Sequence, residues 1–313
     1  MSEDLGFSHP GLSFTTKFRQ WRRTLKGKLP YVRRRVHKQV VARYDALTAA
    51  LGNGIPFASE AALTEVRPVT PGAADDLCLF LSYQPGATLK PHVVAHVTAL
   101  LDRGVRVVLI LNAVLPADQI RVDPALATRL DGLYVRENIG YDFAGWAHVF
   151  GVVSRHLAIR RLFLVNDSII GPLDEAAFDR VIARFRGSRA DVVGLTEALS
   201  PRPHLQSFFL VFNQRAIAEA LPRFFAHVLS FADKGTVIDA YETRLTQRLR
   251  DEGFTCEALF PPMIRHALAS NDTYYLWNEL IDAGFPFLKV SVMNENPDHP
   301  TVKRLVTSRF QSS

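Results

Sequence analysis

Four polar clusters in this 313-residue chain have the types and spacing to do chemistry. In Asn138-Ile-Gly-Tyr-Asp-Phe-Ala-Gly-Trp146 two glycines and an alanine precede or open a helix, so a phosphate or sugar can approach backbone N–H groups at the positive helix end. A tight strand-to-helix turn has the same spacing; on the binding reading Asn138, Gly140, Tyr141 and Asp142 are the candidates. Asn166-Asp-Ser168 follows the apolar run Leu162 to Val165 and precedes Gly171-Pro172. Oxygen ligands at a strand end suit Mg²⁺ or Mn²⁺ held together with a diphosphate, with Asp167 as the metal ligand, and they equally suit an Asx turn. His204 and Gln206 enter the strand His204-Leu-Gln-Ser-Phe-Phe-Leu-Val-Phe212 where they can face a cleft. Asp239 and Glu242, three apart in an expected first helical turn, share a face there; they serve either as dipole partners or as a general base for a hydroxyl.

Such residues need a scaffold that ends strands at one edge, and the pattern supplies one. Buried strands are expected at Leu77–Tyr83, Val105–Asn112, Leu133–Val135, Arg161–Val165, Asp191–Leu195, Gln206–Phe212 and near Phe254–Leu259. Helices are expected at Pro91–Arg103, Gly145–His156, Asp174–Arg186, Ala216–Ala232, Ile238–Glu252 and Thr273–Ala283. The alternation implies a doubly wound α/β domain with a mostly parallel sheet, whose ligand belongs at the carboxyl ends of the strands. Residues 45–75, with Gly52-Asn-Gly and Pro68-Val-Thr-Pro-Gly72, read as turns and linker, so the division is an extension over 1–75 and a catalytic body over 76–313.

Charge is unevenly placed. The chain carries 37 Lys and Arg against 31 Asp and Glu, a net +6, and the stretch Lys17 to Arg43 contains no acid at all. Phe18, Trp21, Leu25, Leu29, Val32 and Val36 recur there at helical spacing, interrupted by Pro30. A basic amphipathic segment of that kind suits an anionic membrane surface, or packs its stripe on the body; aromatic interleaving is too thin to point to nucleic acid. No run approaches the length of a membrane-spanning helix, and the start lacks a secretory layout, so the expected location is the cytoplasm, peripheral on the inner face of the membrane. Cys78 and Cys256 sit in apolar runs and read as reduced thiols.

The order Arg136-Glu-Asn-Ile-Gly-Tyr-Asp-Phe-Ala-Gly-Trp, Val165-Asn-Asp-Ser-Ile-Ile-Gly-Pro-Leu, Val193-Gly-Leu-Thr, His204 to Phe212 and Asp239-Ala-Tyr-Glu resembles the rhamnan synthesis F family. Asn271-Asp-Thr-Tyr-Tyr-Leu-Trp and Phe285-Pro-Phe-Leu-Lys289 extend the resemblance to about residue 298. It implies a rhamnosyltransferase-like enzyme of GT-A-like fold that moves a deoxyhexose from a nucleotide sugar such as dTDP-rhamnose to a cell-surface or lipid-linked glycan. UDP and GDP sugars suit the same fold, as does a non-catalytic module that organises polysaccharide assembly. Asn166-Asp167-Ser168 occupies the place of that fold's Asp-x-Asp, with one carboxylate in place of two. Tyr241-Glu242, with Leu245, Arg248-Leu249 and Gly253, resembles the Glu-Asp-x-Asp-Leu-x-x-Arg-Leu-x-x-x-Gly run of inverting transferases, placing Glu242 on the catalytic Asp. By the same resemblance the diphosphate lies near Asn138, Gly140, Asp142 and Asp167, and His204 and Gln206 bind sugar or acceptor.

Overall fold

A computed structural model describes residues 54–263 and 271–304. The basic segment 17–43 and its expected membrane contact lie outside the described residues. Eleven strands occur among the described residues: β1 Leu63–Arg67, β2 Gly72–Gln84, β3 Arg106–Ala113, β4 Gly132–Glu137, β5 Leu157–Asn166, β6 Ile169–Ile170, β7 Val192–Ala198, β8 His204–Leu205, β9 Phe209–Asn213, β10 Cys256–Phe260 and β11 Leu288–Lys289. The main sheet runs β1-β4-β3-β2-β5-β9-β7-β10, with β8 beside β7, and β6 pairs with β11 in a small second sheet. Four neighbouring strands, β4, β3, β2 and β5, are parallel, as are β7 and β10. The sheet is mostly parallel, as expected, with β9 inserted antiparallel between β5 and β7. Strand β1, antiparallel to β4, comes from the stretch that composition marked as linker.

Strand β2 shows why the centre holds. Residues 77–82 are all buried, as expected of a parallel strand covered on both faces. Leu77, Leu79 and Leu81 enter one core with Trp146 and Phe143, while Cys78 and Phe80 enter the other with Val97, Phe178 and Phe209. Its one buried acid, Asp76, is paired on each oxygen, with Arg161 at 2.5 Å and Arg186 at 2.7 Å.

The helices are α1 Pro91–Leu101, α2 Pro124–Arg129, α3 Tyr141–Val153, α4 Glu175–Gly187, α5 Gln214–Glu219, α6 Leu221–Phe225, α7 Lys234–Val237, α8 Thr243–Asp251, α9 Asp272–Tyr275, α10 Trp277–Asp282 and α11 Val290–Glu295. Pro91 occupies the first turn of α1, where its missing N–H costs nothing, and Asp174 caps α4 by accepting from the Ala177 N–H. Of three long helices expected from apolar spacing, two are broken and one is shifted and distorted. The span 216–232 is interrupted at Ala220, before Pro222, and no helix continues past Phe225. The span 273–283 breaks at Leu276, whose φ of −128° is not helical. The third begins earlier than expected, at Lys234, and passes through a π-turn at Ile238–Glu242 before α8. The strand expected over 206–212 begins only at Phe209, as β9, and Gln206-Ser207-Phe208 separates it from the short β8.

Register places the chemistry. Tyr83 of β2, Asn112 of β3 and Arg136 of β4 lie in one row, and Leu81 of β2 is level with Asn166 of β5. The carboxyl ends of four parallel strands therefore meet at one edge. Among the described residues no helix is long and apolar enough to cross a membrane.

Candidate functional site

At that edge lies a cavity of about 940 Å³, within the size range that encloses small-molecule ligands. Asn138, Tyr141, Asp142, Asn166, Asp167, Ser168, His204, Gln206 and Glu242 all line it. Gly140 and Asp239 do not.

The loop of Asn138 is braced from beneath by Arg136, which is fully buried and donates to the carbonyls of Glu137, Ile139 and Ala58. Burial lowers its guanidinium to about 10, with Glu137 opposing. Gly140 turns the chain with φ +76°, and a Cβ there would stand 2.5 Å from Ala144 Cβ and 2.7 Å from Ser230 Cα. Its smallness serves packing against the protein, and Gly140 itself is not brought into the cavity lining but forms the turn beside Asn138, Tyr141 and Asp142, which do line it. Tyr141 follows with φ +55°, a conformation that costs a non-glycine residue on the order of 1 kcal/mol or more. Its carbonyl accepts from Asn112 Nδ2 at 3.2 Å, and its exposed ring lines the cavity.

Asn166 is the hinge of the acidic wall. Its Nδ2 donates to Asp142 Oδ2 at 2.6 Å, and its Oδ1 accepts from the N–H and hydroxyl of Ser168. The Asx-turn reading of this tripeptide is thus realised by Asn166 and Ser168. Asp167 projects the other way, where its Oδ2 accepts from the Ser82 hydroxyl at 2.7 Å and the Tyr83 N–H at 3.1 Å and pairs with Lys90 Nζ at 2.5 Å. Withdrawal from water, followed by the charge of Asp167, pushes Asp142 up to about 7, against Lys234 and the Asn166 hydrogen bond.

Across the cavity Glu242 ends the π-turn, in which the Thr243 N–H reaches back to the Ile238 carbonyl. That wide turn removes the shared face expected of residues three apart, and it corrects the pairing of Asp239 with Glu242: only Glu242 enters the cavity wall. It also places both in the interior of a helical run, away from the N-terminal dipole. Glu242 Oε2 accepts from the Ser207 hydroxyl at 2.8 Å, and His204 Nε2 lies 3.7 Å from Oε1. Burial pushes this carboxyl up, but the neighbouring His204 ring, the charge of Lys289 and the Ser207 hydroxyl together hold it below the usual range. It is a carboxylate at neutral pH. His204 Nδ1 meets the Arg202 carbonyl at 2.7 Å, which fixes the ring. Gln206 is committed to the protein, accepting from Thr196 and Thr273 and donating to Asn271 Oδ1 at 3.2 Å.

Sequence reasoning missed the cations. Lys90, His92, Lys234 and Lys289 all line the cavity, as does Tyr83, which is 43% exposed. Lys90 just precedes a Pro-initiated helix after a buried strand, a place where ligand-binding loops form, and Lys289 ends the Phe285-Pro-Phe-Leu-Lys segment; both signals were readable.

Two carboxylates stand on the acidic wall: Asp167 is paired with Lys90, and Asp142, raised to about 7 by burial and by Asp167, accepts a hydrogen bond from Asn166. Among the described residues no group of three or more His, Cys, Asp and Glu side chains is placed to hold a metal.

The model of a family described as rhamnan synthesis protein F matches residues 107–308 of this chain. The Virulence protein VirA of Vibrio anguillarum (strain ATCC 68554 / 775) is 26% identical over 217 residues, covering 59% of this chain and 69% of that protein. A second Vibrio anguillarum virulence protein VirA gives the same figures.

Proposed function

The chain belongs to the rhamnan synthesis protein F family, and from that premise we propose that it is a glycosyltransferase of polysaccharide synthesis, with a GT-A-like fold and a nucleoside-diphosphate deoxyhexose, rhamnose in our reading, as donor. The observation that carries this is that one cavity is lined both by Asn138, Asp142 and Asn166 near the strand ends and by the ionised Glu242.

In this mechanism Glu242 accepts the proton of an acceptor hydroxyl as that oxygen bonds the anomeric carbon, while the bond from that carbon to the diphosphate oxygen breaks and its electron pair leaves with the nucleoside diphosphate. Attack opposite the leaving group inverts the anomeric centre. Ser207 and His204 hold the carboxylate in the ionised, proton-accepting form, and the acceptor is a growing polysaccharide or lipid-linked glycan. The exposed rings of Tyr83 and Tyr141 offer faces on which the base can stack. Alignment of donor and acceptor supplies most of the rate, and the base adds roughly 10²–10⁴-fold.

Replacement Glu242→Gln tests the reading: transfer of radiolabelled sugar is expected to fall by roughly 10²–10⁴-fold, while dTDP binding measured by calorimetry stays unchanged. Turnover near the wild-type rate removes Glu242 from the mechanism. Donor binding without turnover in the wild-type protein, over a range of acceptors, favours the alternative of a binding module that organises polysaccharide assembly.

A further inference from the structure

Lys90, Lys234 and Lys289 come from three separate parts of the chain, the start of α1, the start of α7 and the end of β11, and converge on one cavity. Each faces a different acid. Lys90 pairs with Asp167, Lys234 acts on Asp142, and Lys289 acts on Glu242 and on Lys234. Lys90 has the Tyr83 ring beneath it at 5.6 Å, and Lys289 has the Phe208 ring at 4.8 Å. Among the described residues neither Lys234 nor Lys289 is closed into an ion pair. Burial presses the Lys289 ammonium below its ordinary value, with Glu242 opposing and Lys234 adding to the fall. Cations that line one cavity gain most from an anion that reaches all of them, and a diphosphate has the charge and the several oxygens to do so.

We propose that Lys90, Lys234 and Lys289 bind the donor's diphosphate directly, in the place a divalent cation would take, and that Asp167 is a positioning residue that holds Lys90 ready. The inference rests on the nucleoside-diphosphate reading given above and deepens it. As the bond to the anomeric carbon breaks, the charge that develops on the leaving diphosphate meets ammonium groups already in position. Asp167 then has an unusual property for a strand-end acid: its carboxylate competes with the ligand for Lys90.

The test is titration of the full chain with dTDP and with inorganic pyrophosphate, once in EDTA and once in Mg²⁺. Binding in EDTA that Mg²⁺ does not tighten is expected. Lys234→Met and Lys289→Met should each raise the dissociation constant about tenfold or more, and Lys289→Arg should restore most of the loss. Asp167→Asn, which frees Lys90, should bind as tightly as wild type or tighter. Binding that requires Mg²⁺ and collapses in Asp167→Asn overturns the lysine site while leaving the donor reading intact. Failure of both anions to bind in either buffer overturns the donor reading as well. Unchanged affinity in both Lys→Met variants, with melting temperatures confirming the fold, also overturns the proposal.

Discussion

Asp142 is the residue whose protonation the cavity controls most directly. Its carboxyl is raised to about 7 by burial and by Asp167, and the other groups facing it are Lys234, Asn166 and Glu242. Ionisation above that value adds a negative charge beside Asp167, so anion affinity should fall as pH rises through neutrality. Folding responds in the same direction: between the ordinary carboxyl value of 3.8 and about 7 the folded chain binds the extra proton, so stability declines as pH rises across that window. Asp142→Asn keeps a carbonyl acceptor for Asn166 and removes the charge. In that variant pyrophosphate affinity should flatten over roughly pH 6 to 8, and the melting temperature at the upper end should exceed that of wild type. A pyrophosphate profile as steep as the wild-type one would assign the dependence to another group. The pairing at Asp167 differs in kind, because one ammonium and two neutral donors already satisfy a single oxygen.

At the scale of elements, the turn from β4 into α3 determines where the donor wall stands. Gly140→Ala meets a positive φ and the Ser230 backbone at once, so it should cost at least about 2 kcal/mol in urea unfolding; a loss under half of that would mean the turn relaxes freely. Much of this architecture was legible in advance. Apolar runs such as Leu77–Tyr83 marked strands buried on both faces, and strand ends marked the cavity. What escaped was decided by tertiary context. A π-turn has no signature in the spacing of Asp239 and Glu242, so an α-helical face was assigned to residues that do not share one. Gly140 announced a close approach, but composition does not say whether a ligand or Ser230 makes it. Gln206 looked available because the Thr196, Asn271 and Thr273 partners that occupy it come from other segments. The antiparallel insertion of β9 was hidden too, since a strand buried on both faces reads the same in either direction.

For the whole molecule, the basic segment 17–43 and the cavity pose one joint question, namely how the glycosyltransferase proposed above would meet a lipid-linked acceptor. We propose that the segment binds anionic membrane. Deleting residues 1–44 should abolish co-sedimentation with vesicles containing anionic lipid, and raising salt should weaken it in the full chain; unchanged sedimentation of the deletion variant would refute the attachment. The body itself is held by two cores on opposite faces of one sheet, with the cavity at the edge where both faces end. One small feature there governs timing. Strand β11 is held at the site by pairing with β6, Leu288 opposite Ile170 and Lys289 opposite Ile169, among other contacts. During synthesis on the ribosome the acidic wall and β6 emerge long before their partner does. A nascent chain that has delivered Glu242 still lacks Lys289, so on the proposal above its affinity for a diphosphate should rise further once Lys289 is in place.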